Sequence, residues 1–189
     1  MKVISFVGIL LLSLLLACSP NDEEDYTDAE EKLSEAFDFD IHIVDPEGHS
    51  LSYVKHYNKG NYVENEQKAT LGYSVFEEEK EVSKTEEQIK SEEDSLNMEY
   101  IYGPYSESAE YQITISFEDS EFLTDPNLEY ESEEIDEQTV HYMEKDSGEF
   151  SAVTFFDEVM FEFEISLDND LTQQDAFDYI GNVITEHGN

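Results

Sequence analysis

Residues 150–167 constrain the fold most strongly, because mainly apolar side chains recur at every second position on both sides of a short loop. A two-residue loop at 157–158 places each member of the first run opposite a member of the second, with all of them on one face. The pairs are Phe156 with Val159, Thr154 with Phe161, Ala152 with Phe163, and Phe150 with Ile165. A register shift of one residue would move one run to the opposite face. The pattern therefore predicts an antiparallel hairpin with one buried face.

Shorter runs with the same alternation predict further strands. They span residues 39–43, 51–57, 69–75, 98–102, 111–117 and 140–142. Turn residues separate the first three runs, so we expect those runs to form a meander. Its first hairpin is predicted to pair Phe39 with Tyr57 and Ile43 with Tyr53.

Apolar side chains at helical spacing lie before and after these strands. Thr27 and Glu30 have the spacing of a capping box at the start of the first segment, and Thr172 and Asp175 have it at the start of the second. Two helices around an antiparallel sheet predict a single domain of the α+β class, with one helix at its N-terminal end and one at its C-terminal end.

The acidic segments between strands are expected to lie at the surface. Residues 77–94 carry nine acidic side chains but only Val82 and Ile89 as sizeable apolar ones, too few to bury a face. The pair of Glu86 and Lys90 supports a loose helix there, by only a few tenths of a kcal/mol. Residues 118–137 are also acidic, and no strand is predicted in them.

The charge of the chain excludes several classes of function. Its 189 residues include 48 acidic and 9 basic side chains, which gives a formal charge of −39. Such a charge repels nucleic acid and anionic lipid, so no nucleic-acid partner is expected. Every basic residue is a lysine, so the chain has no arginine to clamp a phosphate with two hydrogen bonds. Divalent cations are expected to bind weakly at the abundant carboxylates.

The first 18 residues have the order of a bacterial export signal. Lys2 precedes an apolar run through Leu16 that is too short to span a hydrocarbon core of about 30 Å. The sequence Leu15-Leu16-Ala17-Cys18 resembles the lipobox of bacterial lipoproteins, although Leu16 stands where that family prefers a smaller or β-branched residue. The resemblance implies cleavage after Ala17, a diacylglycerol on the Cys18 sulfur and an amino terminus open to acylation.

This resemblance also implies an organisation and a location. Residues 1–17 are the signal peptide, residues 18–26 are the lipidated cysteine and an acidic tether, and residues 27–189 are the domain. The lipid holds the domain on the extracytoplasmic face of the cell membrane. Because Cys18 is the only cysteine, lipidation leaves no thiol for catalysis or a disulfide.

The domain resembles an uncharacterised domain of Gram-positive lipoproteins and of the outward-facing parts of some anti-sigma factors. The matching stretch runs from Phe150 to Ile184, where a strand, a short turn, an aromatic-rich strand, a Leu-Thr cap and a helix follow one another. The resemblance implies a fold and carries no catalytic residues.

Two polar groups are candidate metal sites, each with a plainer explanation. In the predicted first hairpin Asp40 faces His56, with His42 diagonal to it, so these residues either bind Zn²⁺ or Cu²⁺ or form a solvated sheet face. The sequence at 168–170, Asp-Asn-Asp, resembles the start of a calcium loop. It lacks the glycine at the sixth position and the glutamate at the twelfth, and the start of a helix explains it better.

A group of tyrosines surrounds Gly103-Pro104: Tyr100, Tyr102, Tyr105 and Tyr111. These side chains either line a groove for a peptide or glycan or pack in the core, and the burial of apolar stripes favours the core.

The sequence contains no Gly-x-Ser-x-Gly, Ser-x-x-Lys or His-Glu-x-x-His signature of a hydrolase. We therefore expect a membrane-anchored, non-enzymatic protein with a binding, sensing or accessory role in the cell envelope, and an envelope protein as its partner. The alternative is a metal-dependent envelope hydrolase that uses its carboxylates. No cofactor and no catalytic residue is predicted.

Overall fold

The computed structural model describes residues 25–58, 67–76, 80–106, 108–117, 130–145, 147–167 and 171–188. In these ranges the helices are α1 (Thr27–Phe37), α2 (Glu86–Leu96) and α3 (Gln173–His187). The strands are β1 (Ser50–Tyr57), β2 (Lys68–Ser74), β3 (Met98–Tyr102), β4 (Tyr111–Phe117), β5 (Glu131–Ile135), β6 (Gln138–Glu144), β7 (Glu149–Phe156) and β8 (Val159–Ser166). The predicted α+β class, with one helix before the strands of an antiparallel sheet and one helix after them in the chain, is confirmed.

The strands form one antiparallel sheet in the order β3-β1-β2-β4-β8-β7-β6-β5. In the hairpin of β7 and β8, Phe156 lies opposite Val159 and Phe150 lies opposite Ile165, as the sequence predicts. Asp157 in its turn has a φ of 52°, a left-handed conformation that aspartate tolerates better than most residues. The predicted pairing therefore holds without the glycine that such a turn prefers.

The core lies between one face of the sheet and helices α1 and α3. Buried side chains of both helices join those of six strands, β1, β2, β4, β6, β7 and β8, in one apolar cluster. Phe150, Phe161 and Phe163 have at most 1% of their surface exposed, and each contributes about 1.5–3 kcal/mol through burial. The cluster explains why strands far apart in the chain form one sheet.

The strand predicted at 39–43 is absent, and the predicted pairing of Phe39 with Tyr57 is wrong. Strand β1 pairs instead with β2 on one side and β3 on the other. Residues 39–46 form no regular element, although Ile41 has only 1% of its surface exposed.

Side chains explain why this segment needs no strand partner. The N–H of Ile41 donates to Ser34 Oγ at 2.8 Å, and the N–H of Ile43 donates to Glu30 Oε1 at 2.7 Å. Both acceptors belong to α1. Because the backbone donors are satisfied there, the segment is buried by α1 without forming a strand.

The helix starts differ in how well the sequence predicts them. Thr172 Oγ1 accepts from the N–H of Asp175, whose side chain accepts in return, so the predicted cap of α3 is confirmed. The predicted capping box at Thr27 is wrong, because Thr27 is the first residue inside α1 and donates to Asp25. The loose helix predicted around Glu86 is confirmed as α2, which contains no buried residue.

Strand β5 lies in an acidic segment where no strand is predicted. Its first four residues are exposed, and only Ile135 packs against the core. Asp136 and Glu137 join it to β6 with φ values of 46° and 70°, the left-handed pair that a two-residue type I′ turn requires. Pairing with β6 creates this strand, since it has almost no apolar face of its own.

Candidate functional site

Three lysines lie against aromatic rings around the edge strand β3 and the chain before α2. We call this region the lysine–tyrosine surface, and it comprises Lys55, Lys80, Lys84, Phe76, Tyr53, Tyr100, Tyr102 and Tyr105. Three of the nine lysines of the chain are therefore in one place, within a protein that is otherwise strongly acidic.

Glu92 of α2 is the centre of the first half of this surface. Its carboxylate pairs with Lys84, accepts from Lys55 Nζ at 3.4 Å, and accepts from the hydroxyl of Tyr100 at 3.0 Å. Partial burial raises the pKa of Glu92, but the hydrogen bonds from Lys84 and Tyr100 outweigh it, so the pKa lies below its usual range. These polar contacts hold α2 against the sheet, because the helix buries no side chain there.

Tyr100 brings β3, α2 and the lysines together. Lys55 Nζ lies 5.4 Å from the centre of its ring and Lys84 Nζ lies 5.7 Å from it. Its backbone N–H donates to Glu93 Oε1 of α2 at 3.1 Å, so a carboxylate occupies a backbone donor of the edge strand. Burial raises the pKa of the Tyr100 hydroxyl to about 12, and the hydroxyl stays protonated at neutral pH.

Lys80 is the centre of the second half. Its Nζ lies 5.1 Å from the ring centre of Phe76 and 5.8 Å from the ring centres of Tyr102 and Tyr105. The same ammonium donates to the carbonyl oxygen of Leu51 at 3.0 Å. Three ring faces and one carbonyl oxygen therefore surround a single positive charge.

The loop after β3 holds two of these rings on β1. The N–H of Tyr105 donates to the carbonyl oxygen of Ser52 at 2.9 Å. Gly103 has a φ of 77°, and a Cβ there would lie 2.3 Å from that same oxygen. The loop therefore lies so close to β1 that only glycine fits at this position.

The four tyrosines singled out in the sequence separate into two environments. Tyr100, Tyr102 and Tyr105 are half-buried and belong to the lysine–tyrosine surface. Tyr111 is buried in the core, with its ring edge-on to Tyr179 at 5.1 Å between ring centres. The core prediction is therefore confirmed for Tyr111, and Tyr102, although half-buried, also packs against the core.

The histidines and the acid of the first candidate metal site are not brought together as predicted. His56 Nδ1 lies 3.3 Å from Glu99 of β3, which is its neighbour in place of Asp40. His42 Nε2 lies 3.6 Å from Asp40. Among the residues that the structure describes, no group of three or more histidine, cysteine, aspartate or glutamate side chains is arranged to hold a metal ion. The candidate calcium loop at 168–170 lies outside the described residues.

His187, at the end of α3, has a defined environment that the sequence does not indicate. Its Nδ1 contacts the carbonyl oxygen of Val183 at 2.7 Å, and its Nε2 accepts from the N–H of His42 at 3.1 Å. These partners define a neutral ring with its proton on Nδ1, stacked on Phe39 and edge-on to Phe161. Burial lowers the pKa of His187, and the backbone contact at Val183 opposes the shift without cancelling it.

A polar cleft of about 240 Å³ lies beside the first turns of α3. It is lined by Glu47, Tyr111, Leu171, Asp175, Asp178, Tyr179 and Asn182. Two of its carboxylates already have partners within α3, because Asp175 accepts from Thr172 and Asp178 accepts from Gln174. These two carboxylates therefore serve the start of the helix, and the lysine–tyrosine surface is the stronger candidate for recognition of a partner.

The predicted lipidation site, Cys18, and the predicted signal peptide lie outside the described residues. In the described part of the chain, none of the helices has the length and apolar character needed to cross a membrane. No protein-family model matches the chain, and no curated protein or solved structure matches it at a significant level.

Proposed function

We propose that this chain is a lipid-anchored, non-enzymatic binding protein on the extracytoplasmic face of the cell membrane. The observation that carries the anchoring is the sequence Leu15-Leu16-Ala17-Cys18, placed directly after a short apolar run and before an acidic tether. Two or more acyl chains, at about 0.8 kcal/mol for each buried CH₂, suffice to hold a domain that anionic lipid repels.

The lysine–tyrosine surface supports the binding role. Aromatic rings and lysines on a half-exposed edge are side chains that make directional contacts with a partner. Within the described ranges, the large hydrophobic side chains that are exposed are Val75 at 56% and Val82 at 54%, and both flank Phe76 and Lys80. Exposed apolar side chains and a lysine are thus close together in the chain between β2 and α2, and this combination favours an envelope protein as the partner.

Labelling with a fatty-acid probe tests the anchoring. The wild-type protein should incorporate the probe and sediment with membranes, whereas C18S should lose the label and either remain uncleaved or leave the membrane. S19A is the matched control, because it changes the neighbouring residue and keeps the sulfur. Absence of label on the wild-type protein would show that it is not a lipoprotein.

A further inference from the structure

We propose that the rings around Lys80 form a binding site for a primary ammonium group on an alkyl arm, namely the side chain of a lysine in a partner protein. The site, here called the ammonium cage, consists of the rings of Phe76, Tyr102 and Tyr105 and the carbonyl oxygen of Leu51. In the unbound protein Lys80 occupies it. This inference rests on the proposed binding role and gives that role a ligand class, but it does not depend on the lipid anchor.

The chemistry of the cage selects the ligand. Ring faces within about 6 Å attract a cation through their negative quadrupole, and three rings lie within that range of the Lys80 ammonium. The Leu51 oxygen accepts a hydrogen bond from Nζ at 3.0 Å, so the cage also offers an acceptor to a group that can donate. A primary ammonium supplies both charge and donor, whereas a quaternary ammonium supplies only charge.

The two tyrosine walls of the cage are held by contacts that do not involve Lys80. The ring of Tyr102 packs edge-on against Tyr105 at 5.3 Å and against Tyr26 at 5.5 Å between ring centres. The N–H of Tyr105 is bonded to the oxygen of Ser52. The two tyrosine walls should therefore persist when Lys80 leaves, and the vacated space should accept another alkylammonium group.

Exchange of Lys80 for a lysine of the partner is feasible because the incoming ammonium makes the same ring contacts and the same hydrogen bond to Leu51 that Lys80 gives up in the cage. Lys80 lies in residues 80–85, which form no helix or strand and directly precede α2. The formal charge of −39 raises the local concentration of cationic partners. The exposed side chains of Val75, next to Phe76 in the chain, and Val82, two residues after Lys80, are apolar groups available to a partner.

A different role for Lys80 is purely structural: it would fasten the connection before α2 to β1. Both roles predict that removing Lys80 lowers stability. Both roles also predict that a free alkylammonium enters the cage that K80A leaves empty. Only the binding role predicts that a lysine from outside displaces Lys80 in the wild-type protein.

The experiment is an NMR titration of the full-length protein in a maltoside detergent, with labelled tyrosine and lysine side chains. K80A is titrated with n-butylammonium, which matches the arm and charge of the missing side chain, and with tetramethylammonium for comparison. K145A is the matched control, because Lys145 pairs with Glu149 at a distance from the cage. The double variant K80A/Y102L removes one wall.

We expect n-butylammonium to saturate one site in K80A, with shifts at Tyr102 and Tyr105, and to bind more tightly than tetramethylammonium. The wild-type protein and K145A should bind n-butylammonium at least about ten-fold more weakly than K80A does, because the tethered Lys80 competes at a millimolar effective concentration. The double variant should lose the site. In the wild-type protein, Nα-acetyl-lysine amide should return the Lys80 side-chain resonances to their solvent-exposed positions as it saturates.

Absence of a saturable site in K80A, equal binding by K145A, or failure of the lysine amide to displace Lys80 would each overturn the proposal. If K80A does not fold on its own, the titration with n-butylammonium is used to follow recovery of its folded NMR signals. Absence of recovery would equally overturn the proposal. Loss of fatty-acid labelling at Cys18 would leave these outcomes unchanged, so the ammonium cage and the lipid anchor fail separately.

Discussion

Substitution of Gly103 by alanine should destabilise the protein far more than substitution of Gly48, although both glycines have almost the same backbone conformation. Their φ values are 77° and 75°, so alanine at either position incurs the left-handed strain of about 1–2 kcal/mol. A Cβ at Gly48 meets nothing within 4 Å. A Cβ at Gly103 would lie 2.3 Å from the oxygen of Ser52 and 3.2 Å from the Cα of Tyr53.

The clash at Gly103 is with backbone atoms, so no change of side-chain rotamer relieves it. The loop must lift from β1, which breaks the hydrogen bond from Tyr105 to Ser52 and costs a further ~0.5–1.5 kcal/mol, or more where the carbonyl stays buried. We expect G48A to lower the free energy of unfolding by about 1 kcal/mol, and G103A to lower it by about 3 kcal/mol.

Urea denaturation of both variants and the wild-type protein measures this difference directly. G103A should also shift the ring resonances of Tyr102 and Tyr105, which G48A should leave in place. If the two variants lost equal stability within about 0.5 kcal/mol, the close approach of the loop to β1 would not be what requires glycine.

Three further predictions concern charge. The free energy of unfolding should fall as the pH drops from about 6.5 to 5, by at most ~1.4 kcal/mol for each pH unit, because the pKa of His187 is lowered in the folded state and the unfolded chain takes up the proton first. H187F should flatten this part of the pH profile of stability. An unchanged profile would contradict a buried neutral His187. E92Q should accelerate hydrogen exchange of α2 amides while leaving β7 and β8 protected, because the helix is held by the Glu92 contacts and buries nothing; uniform protection in both proteins would show that α2 is held otherwise. Thermal melts between 10 mM and 1 M NaCl, which take the screening length from about 30 to about 3 Å, should show a rising melting temperature because repulsion within a chain of charge −39 is screened; a flat or falling melting temperature would refute that reasoning.

The parts of the fold that the sequence predicts are those determined locally. The hairpin of β7 and β8 was predictable because its alternation and its two-residue loop favour a single register. The cap of α3 was predictable because Thr172 and Asp175 are three residues apart. In both cases the partners are neighbours in the chain, so their spacing carries the information.

Long-range partners could not be predicted in the same way. Alternation at 39–43 indicates a buried extended segment, but not that Glu30 and Ser34 of α1 satisfy its backbone donors. The ammonium cage joins Leu51, Phe76 and the loop after β3, which the sheet order brings together. Strand β5 escaped prediction because pairing with β6, and not apolar burial, creates it.

Mass spectrometry of the N-terminal peptide from protein isolated with membranes tests the central claim most directly. The proposal predicts a peptide that begins at Cys18 and carries the mass of a diacylglycerol on its sulfur, with or without a further acyl chain on its amino group. A chain that still begins at Met1, or a peptide with an unmodified Cys18, would contradict it.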